Sequence, residues 1–176
     1  MHPHPIQLLA PGLAFALATA AGAQEPSTDS MSSDGAVMAR LVTADDTDVG
    51  KVTFQAMRAG VLVQVDLTDL PAGPHAIQHE IGACEPDFSA AGEHLAPDGH
   101  EHGFAQTDAP HAGGLPNLIV AEDGTARAEF LNWRLTSEDL LDQDGSAVIV
   151  HEREDTYMDP ASAGDRLACG VVEQVS

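Results

Sequence analysis

Histidine is the residue type in this sequence whose number and spacing most directly suggest chemistry. Seven of the nine histidines lie between residues 75 and 151, and four of these fall within a single stretch, 85–113. The seven are His75, His79, His94, His100, His102, His111 and His151. Neutral imidazole is a common ligand of zinc and copper. A lone histidine is more often an ordinary polar residue, but this concentration in and beside one segment predicts a metal-binding site.

Short runs of alternating apolar and polar residues surround these histidines. They are rich in Val, Leu and Thr and are separated by turn residues, which is typical of antiparallel hairpins. We expect strands at 36–43, 51–58, 61–70, 74–81, 115–121, 126–131, 146–151 and 167–174. The one clear helix signal is 136–143, with Thr136 or Ser137 as N-cap and acidic residues in the first turn. Eight short strands with one helical turn predict an all-β barrel or sandwich.

Two long segments fit neither strands nor helices, 85–113 and 152–165. The first is rich in Gly, Pro, Ala, Asp and His. Loops of this length inside a domain are usually functional or disordered. The histidine content of the first loop favours a metal-binding function for it.

The N-terminal end of the chain is typical of an export signal. Residues 6–20 form an apolar run too short to span a membrane, and "AGA" at 21–23 offers a small-residue cleavage site. The positive charge that usually opens such a signal is missing, and the alternative is a buried N-terminal helix. We interpret 1–23 as a signal peptide and 24–34 as a flexible leader, which leaves 35–176 as one domain in the periplasm or outside the cell. No other stretch is apolar enough to span a bilayer.

The composition limits the partners and indicates a crosslink. The 28 acidic and 7 basic residues give a net charge of -21, which argues against nucleic acid and anionic membrane as partners. In an exported chain the two cysteines, Cys84 and Cys169, predict a disulfide, with two free thiols as the alternative. Closing a loop of about 85 residues would stabilise the fold by about 4 to 5 kcal/mol in the chain-entropy model.

Several motifs, in order along the chain, resemble the copper/zinc superoxide dismutases, particularly the exported bacterial branch. The motifs are "AGPHAI", "HEIGACEP", "SAAGEH", "HAGGLPNLIVAEDGTA", "AVIVHERED" and "GDRLACGVV". His102 lies eight residues after His94, and His111 lies seventeen after it, both at the spacing of the family's zinc histidines. The resemblance covers the chain from about residue 36 to its C-terminal end, and it implies an eight-stranded antiparallel Greek-key barrel with two long loops.

The resemblance also implies roles for individual residues. It assigns copper to His79, His94 and His151, and zinc to His94, His102 and His111, so that His94 bridges both ions. Asp155 matches the carboxylate that links the two sites. Arg166 matches the guanidinium that draws and orients superoxide. Cys84 and Cys169 match the family disulfide, which ties the metal loop to the last strand.

One departure from the family pattern lies in the first metal strand. The family has H-x-H before E-x-G-x-C, whereas here matching "AGPHAI" on one side and "HEIGAC" on the other leaves one residue missing, with Gln78 where a histidine belongs. In a regular strand Gln78 and His79 point to opposite faces. His75 would share the face of His79 but lie about 13 Å from it, too far for one ion. We therefore expect His75 to be structural or to support a ligand rather than bind the ion itself; a β-bulge would be needed to turn Gln78 inward.

A second departure lies at the zinc site, where the family has H-x-G-D. This chain reads "HAGG", so Gly114 replaces the aspartate. Three histidines and a water can still hold zinc. Asp108 or His100 would fill the fourth position if the loop folds back.

Three functions remain open at this point. The first is disproportionation of superoxide to oxygen and hydrogen peroxide at a copper site supported by zinc, in a chain that is a possible homodimer. We expect slow capture of the anion because of the acidic chain, with a smaller penalty as salt screens the repulsion. The second is a dismutase-like module that binds copper or zinc with weak or no turnover. The third is a metal-free β-barrel that acts through its surface.

Overall fold

The structure is a computed structural model, and it describes residues 36–105 and 110–175. The predicted signal peptide (1–23), the predicted leader (24–34) and the candidate ligand Asp108 lie outside the described residues.

The described residues form nine β-strands. These are β1 (Ala36–Thr43), β2 (Asp48–Met57), β3 (Gly60–Leu67), β4 (Gly73–His75), β5 (Ile77–Ile81), β6 (Leu118–Val120), β7 (Ala126–Asn132), β8 (Ser146–His151) and β9 (Arg166–Val175). Seven strands make one antiparallel sheet in the order β5-β8-β9-β1-β2-β3-β7, and β4 pairs with β6 in a second, two-stranded sheet. β7 lies at one end of the larger sheet and the next strand of the chain, β8, lies beside β5 at the other, so the chain crosses between the two ends. The predicted all-β Greek-key fold is confirmed.

Burial along the strands follows the two-residue period that the sequence predicts. In β3, Val61, Val63, Val65 and Leu67 are buried and alternate with more exposed residues. Every residue of β8 and the first four of β5 are buried instead. These two neighbouring strands are therefore covered on both faces. One face of each strand lies against the apolar core, and the opposite face lies against the long loops.

The single strand expected at 74–81 is divided in two at Ala76, which is why nine strands replace the expected eight. The strand pairs with β6 before Ala76 and with β8 after it. The backbone N–H of Ala76 donates to the carbonyl of Arg153, and its own carbonyl accepts from the N–H of His151. The chain thus changes sheets at this residue, a long-range event that alternation of residue types does not reveal.

Two other expected elements are shorter than predicted. The expected helix at 136–143 is one turn, α1 (Ser137–Leu140), although its start is as predicted: Thr136 and Asp139 form a capping box. The strand expected at 115–121 contains only β6. The two long loops stay outside the sheets, with single 3₁₀ turns at Ser89–Ala91 and Pro160–Ala163. None of the described helices is long and apolar enough to cross a membrane.

The outer edge of β5 binds the first long loop. Within the strand, the N–H of His79 donates to the carbonyl of Gly113, and the carbonyl of His79 accepts from the N–H of Leu95. The N–H of Gly113 then donates to the carbonyl of Leu95, so three hydrogen bonds join three chain segments. A Cβ at Gly113 would lie 2.3 Å from the carbonyl oxygen of His79, and only glycine allows this approach. The contact fixes the loop residues on either side of it against β5.

The predicted disulfide is confirmed. Cys84 and Cys169 are bonded, with 85 residues of sequence separation, and no described cysteine is free. Cys169 lies in β9, and Cys84 opens the first loop, so the bond attaches that loop to the sheet.

Replacing both cysteines by serine should lower the free energy of unfolding by about 2 to 5 kcal/mol, because the crosslink no longer restricts the unfolded chain. Urea unfolding would measure this for the wild type and the double variant, each with and without reductant. Reductant should lower the wild-type midpoint to that of the variant and leave the variant unchanged. Equal midpoints for oxidised wild type and variant would contradict the expectation.

Candidate metal centre

Three loop histidines converge on one point. His94 Nδ1 lies 2.9 Å from His111 Nε2, and His102 Nδ1 lies 3.2 Å and 3.1 Å from these two atoms. Zinc–nitrogen bonds near 2.0 Å in a tetrahedron would place neighbouring donors about 3.3 Å apart. The three nitrogens therefore fit three vertices of a tetrahedral site, and the residues expected to bind zinc are brought together.

The contact of His102 with Asp155 turns a ring lone pair into this cluster. His102 Nε2 lies 3.0 Å from Asp155 Oδ1, and a carboxylate only accepts, so the hydrogen of the neutral His102 ring is on Nε2. Its Nδ1 is then a bare lone pair facing two other ring nitrogens. Burial, together with the nearby histidines, lowers the pKa of His94 to about 3 and that of His111 to about 4. These rings are neutral at pH 7, which is the form that binds a metal.

Asp155 connects the cluster with β5. Its Oδ1 contacts His102 and accepts from the backbone N–H of Tyr157 at 2.8 Å, while its Oδ2 accepts from Gln78 Nε2 at 3.2 Å. A carboxylate that holds the far nitrogen of a ligand fixes the orientation of the ring. Asp155 thus fixes His102 and connects it to β5, the strand that carries Gln78 and Glu80.

The two faces of β5 carry different chemistry. Gln78 and Glu80 point to the loop side, where they meet Asp155 and the loop histidines. His79 points the other way, and its ring packs 5.0 Å from that of Phe54 in the apolar core. His79 has no solvent exposure, and among the described residues neither of its ring nitrogens has a hydrogen-bond partner. Burial lowers its pKa to about 4.

The expected copper set of His79, His94 and His151 is therefore not brought together, and the assignment of His79 needs correction. His94 and His151 approach each other through Glu80, whose Oε1 lies 3.4 Å and 3.9 Å from their Nε2 atoms. Glu80 occupies the side of the strand that His79 was expected to occupy. The physical reason is the alternation of side chains along a regular strand: with Gln78 facing the loops, His79 must face the core.

Glu80 is the residue of this pocket that sequence reasoning did not place there. Its signal is the residue count from "AGPHAI" forward: without a gap, Gln78 and Glu80 fall on the two positions of the family's H-x-H. Counting backward from Cys84 instead places His79 on the second of these two positions. The structure agrees with the forward count and puts the missing residue after Glu80.

Glu80 has no solvent exposure, and desolvation raises the pKa of its carboxyl, opposed by the nearby His151 and Arg166. Arg166 Nη2 lies 3.5 Å from Glu80 Oε2. The guanidinium also donates to the carbonyls of Phe88 and Gly92, in the loop that the disulfide attaches. Arg166 is thus held at the site, and a carboxylate of the same protein already lies beside its charge.

The remaining histidines have separate positions. His75 bonds through its two ring nitrogens to the carbonyls of His151 and Pro71, each at 2.8 Å, which is the structural role expected for it. His100 is not part of the described cluster of His94, His102 and His111. Gly114 leaves the fourth zinc position without a side chain; a Cβ there would lie 3.2 Å from His111 Cε1, against the ring.

Comparison with known proteins agrees with this architecture. The family model for copper/zinc superoxide dismutase matches residues 49–172. A copper/zinc superoxide dismutase of Aquifex aeolicus is 34% identical over 145 residues, covering 77% of this chain and 86% of the relative. The superoxide dismutase-like protein YojM of Bacillus subtilis is 40% identical over 144 residues, covering 76% of this chain and 74% of the relative. The crystal structure of a dismutase-like protein from the same species has a TM-score of 0.70 and 32% identity, covering 76% of this chain and 96% of that one.

The chain belongs to the copper/zinc superoxide dismutase family. The resemblance seen in the sequence is confirmed, and the alterations at Gln78, Glu80 and Gly114 are alterations within that family.

Replacing His79 by leucine should remove a pH-dependent loss of stability. The pKa of His79 is about 4 in the folded protein against 6.5 for an ordinary histidine. Between these values the unfolded chain binds a proton that the folded protein does not, so stability falls as the pH drops below 6.5. The cost to the wild type relative to pH 8 is about 2 kcal/mol at pH 5. Urea unfolding at both pH values should show a smaller loss for the variant by this amount.

Metal content provides the control for this variant. Since His79 faces the core, His79→Leu should bind as much zinc as the wild type. A variant with less bound metal, or with an unchanged pH dependence of stability, would contradict the orientation of His79.

Proposed function

We propose that this protein is a metal-binding member of the dismutase family that holds a zinc-class ion with His94, His102 and His111, with weak or no turnover of superoxide at copper. The observation that carries the proposal is the convergence of three imidazole nitrogens within 3.2 Å of one another. Asp155 on the far nitrogen of His102 supports it, because metal-binding histidines are commonly oriented in this way.

Zinc has no redox chemistry, and its contribution when bound is to crosslink its ligands. The three histidines come from separate points of the first loop, and His94 and His111 lie next to the residues that pair with β5. Ligation would therefore stabilise the loop on the sheet.

The residues at the expected copper position, Gln78 and Glu80, argue against efficient copper chemistry. Copper would supply one-electron cycling, which needs ligands suited to both oxidation states. Cu(I) prefers soft donors, whereas Gln78 and Glu80 place an amide and a carboxylate where the family has imidazoles. Glu80 also lies 3.5 Å from Arg166, so its charge opposes the attraction of an anionic substrate to that guanidinium.

Superoxide disproportionation is the second candidate. It is favoured by Arg166 and by two imidazoles, His94 and His151, which still face the same pocket around Glu80. Arg166 would bind and orient the anion, as the resemblance implies. The family membership supports this activity in general.

An oxidising compartment suits either function, and the bond between Cys84 and Cys169 supports the periplasmic or secreted location expected from the sequence. The homodimer stays a prediction.

The zinc site can be tested by metal content. Wild-type protein reconstituted with zinc should retain the ion through gel filtration, and His102→Ala should lose it, because two imidazoles rarely suffice for a structural site. His100→Ala is the matched control in the same loop and should bind as much zinc as the wild type. Mass spectrometry of the native protein gives the stoichiometry, and the thermal midpoint should rise with zinc only where it binds. Equal zinc retention in His102→Ala and the wild type would refute the site.

The copper chemistry can be tested by restoring the family's ligands. The double variant Gln78→His/Glu80→His, loaded with copper and zinc, should disproportionate superoxide at least tenfold faster than the wild type loaded in the same way. Glu80→Gln removes the charge without adding an imidazole and serves as the control. A wild type as fast as the double variant, with activity abolished in His151→Ala, would favour the second candidate instead.

A further inference from the structure

We infer that Asn117 and Tyr157 are positioning residues of the three-histidine site, and that they act on the ring of His102 through Asp155. The inference rests on the proposed function for the identity of the metal ligands, but the contacts that carry it are made by the protein alone. Neither residue is one of the converging histidines, and the two come from different segments of the chain. Asn117 directly precedes β6, and Tyr157 lies in the second long loop.

The side-chain amide of Asn117 holds the backbone of Asp155. Its Nδ2 donates to the Asp155 carbonyl at 2.9 Å, and its Oδ1 accepts from the Asp155 N–H at 2.9 Å. A carboxamide has a donor side and an acceptor side, so it pairs with both backbone groups of one residue as a neighbouring strand would. The second loop is thus attached to the start of β6 at the residue whose carboxylate contacts His102.

Tyr157 closes this arrangement. Its phenolic oxygen accepts from the backbone N–H of Asn117 at 2.8 Å, and its own backbone N–H donates to Asp155 Oδ1 at 2.8 Å. Four hydrogen bonds therefore connect Asn117, Asp155 and Tyr157 in a closed ring. The backbone and the carboxylate of Asp155 are both held, and Oδ1 is the atom that lies 3.0 Å from His102 Nε2. Turning the carboxylate away from His102 would break the bond from Tyr157.

Tyr157 also contacts the backbone that follows His102. Its carbonyl accepts from the N–H of Ala105 at 3.4 Å, and a Cβ at Gly103 would collide with the same oxygen. Its ring meets that of Phe104 edge-on, with the centroids 5.1 Å apart. Each of the three residues after His102 thus lies against Tyr157, which holds the segment that carries this ligand.

The backbone conformation of Tyr157 agrees with such a role. Its φ of 61° lies in the left-handed region, which is unfavourable for a bulky side chain. A residue keeps this conformation only where its surroundings determine it. Here the N–H, the carbonyl and the hydroxyl of Tyr157 each have a partner, in the second loop, the first loop and the approach to β6 respectively.

Amide exchange and metal affinity together test this arrangement. In metal-free protein with its disulfide intact, Asn117→Ala should raise the exchange rates of the Asp155 and Tyr157 amides about tenfold, as followed by NMR. The same variant should bind zinc about tenfold more weakly than the wild type, measured by competition with a chromophoric chelator, because an outer partner of a ligand is no longer held. The visible absorption of Co²⁺ bound to the variant should also differ from that of the wild type.

A matched control separates positioning from general stability. Val65→Ala removes apolar contacts from the buried face of β3, so it should lower the thermal midpoint and leave zinc affinity and the Asp155 amide rate unchanged. Tyr157→Phe removes only the hydroxyl. It should raise the exchange rate of the Asn117 amide and weaken zinc binding by a smaller factor than Asn117→Ala does. If Asn117→Ala fails to fold, Tyr157→Phe decides the matter by the same two measurements.

The outcomes distinguish this inference from the proposed function. Unchanged amide exchange or unchanged zinc affinity in Asn117→Ala would overturn the inference and leave the three-histidine site standing. An equal loss of affinity in Val65→Ala would overturn it as well, since the effect would then follow stability. A wild type that does not bind zinc would overturn the proposed function instead, and the amide rates of the metal-free protein would still decide whether Asn117 holds Asp155.

Discussion

The alternation of side chains along β5 decides which chemistry this protein can perform. The strand is buried on both faces, and its register is fixed on one edge by β8, with His79 opposite Val148, and on the other by Gly113 and Leu95. A shift of one residue would exchange the core and loop faces. It would bring His79 to the metal centre and place Gln78 and Glu80 in the apolar core. Burying an unpaired carboxylate there would be far more costly than burying a neutral imidazole, so the electrostatics and the backbone pairing agree.

This explains which parts of the molecule could be predicted from the sequence. The three converging histidines keep the family's spacing within one loop, so His94, His102 and His111 could be singled out together. The disulfide and the strands could be predicted just as directly, from the two cysteines and from the alternation of residue types. The position of Glu80 could not be predicted in this way, because the residue missing relative to the family can be assigned to either side of "QHE" without changing any motif. Only the pairing of β5 with its neighbours, which depends on residues far away in sequence, chooses between the two.

The charge of the chain makes the environment of Arg166 important. With 28 acidic and 7 basic residues, the protein repels anions at long range, and a local cation would have to compensate for this. Arg166 is held at the right place by the carbonyls of Phe88 and Gly92. Glu80 adds a buried acid beside it, 3.5 Å from the guanidinium, so part of the charge of Arg166 is offset wherever this carboxyl is ionised.

The two alterations of the centre complement each other electrostatically. In the family pattern the aspartate at the zinc site supplies a carboxylate, and the copper site is made of histidine rings. Here Gly114 removes the carboxylate from one side of His94, and Glu80 adds one on the other side. One carboxylate is therefore lost and one gained around His94, on opposite sides of its ring. Gln78 and Glu80 thus replace the imidazole donors suited to copper redox chemistry, while the three histidines that converge at His94 keep the family's spacing.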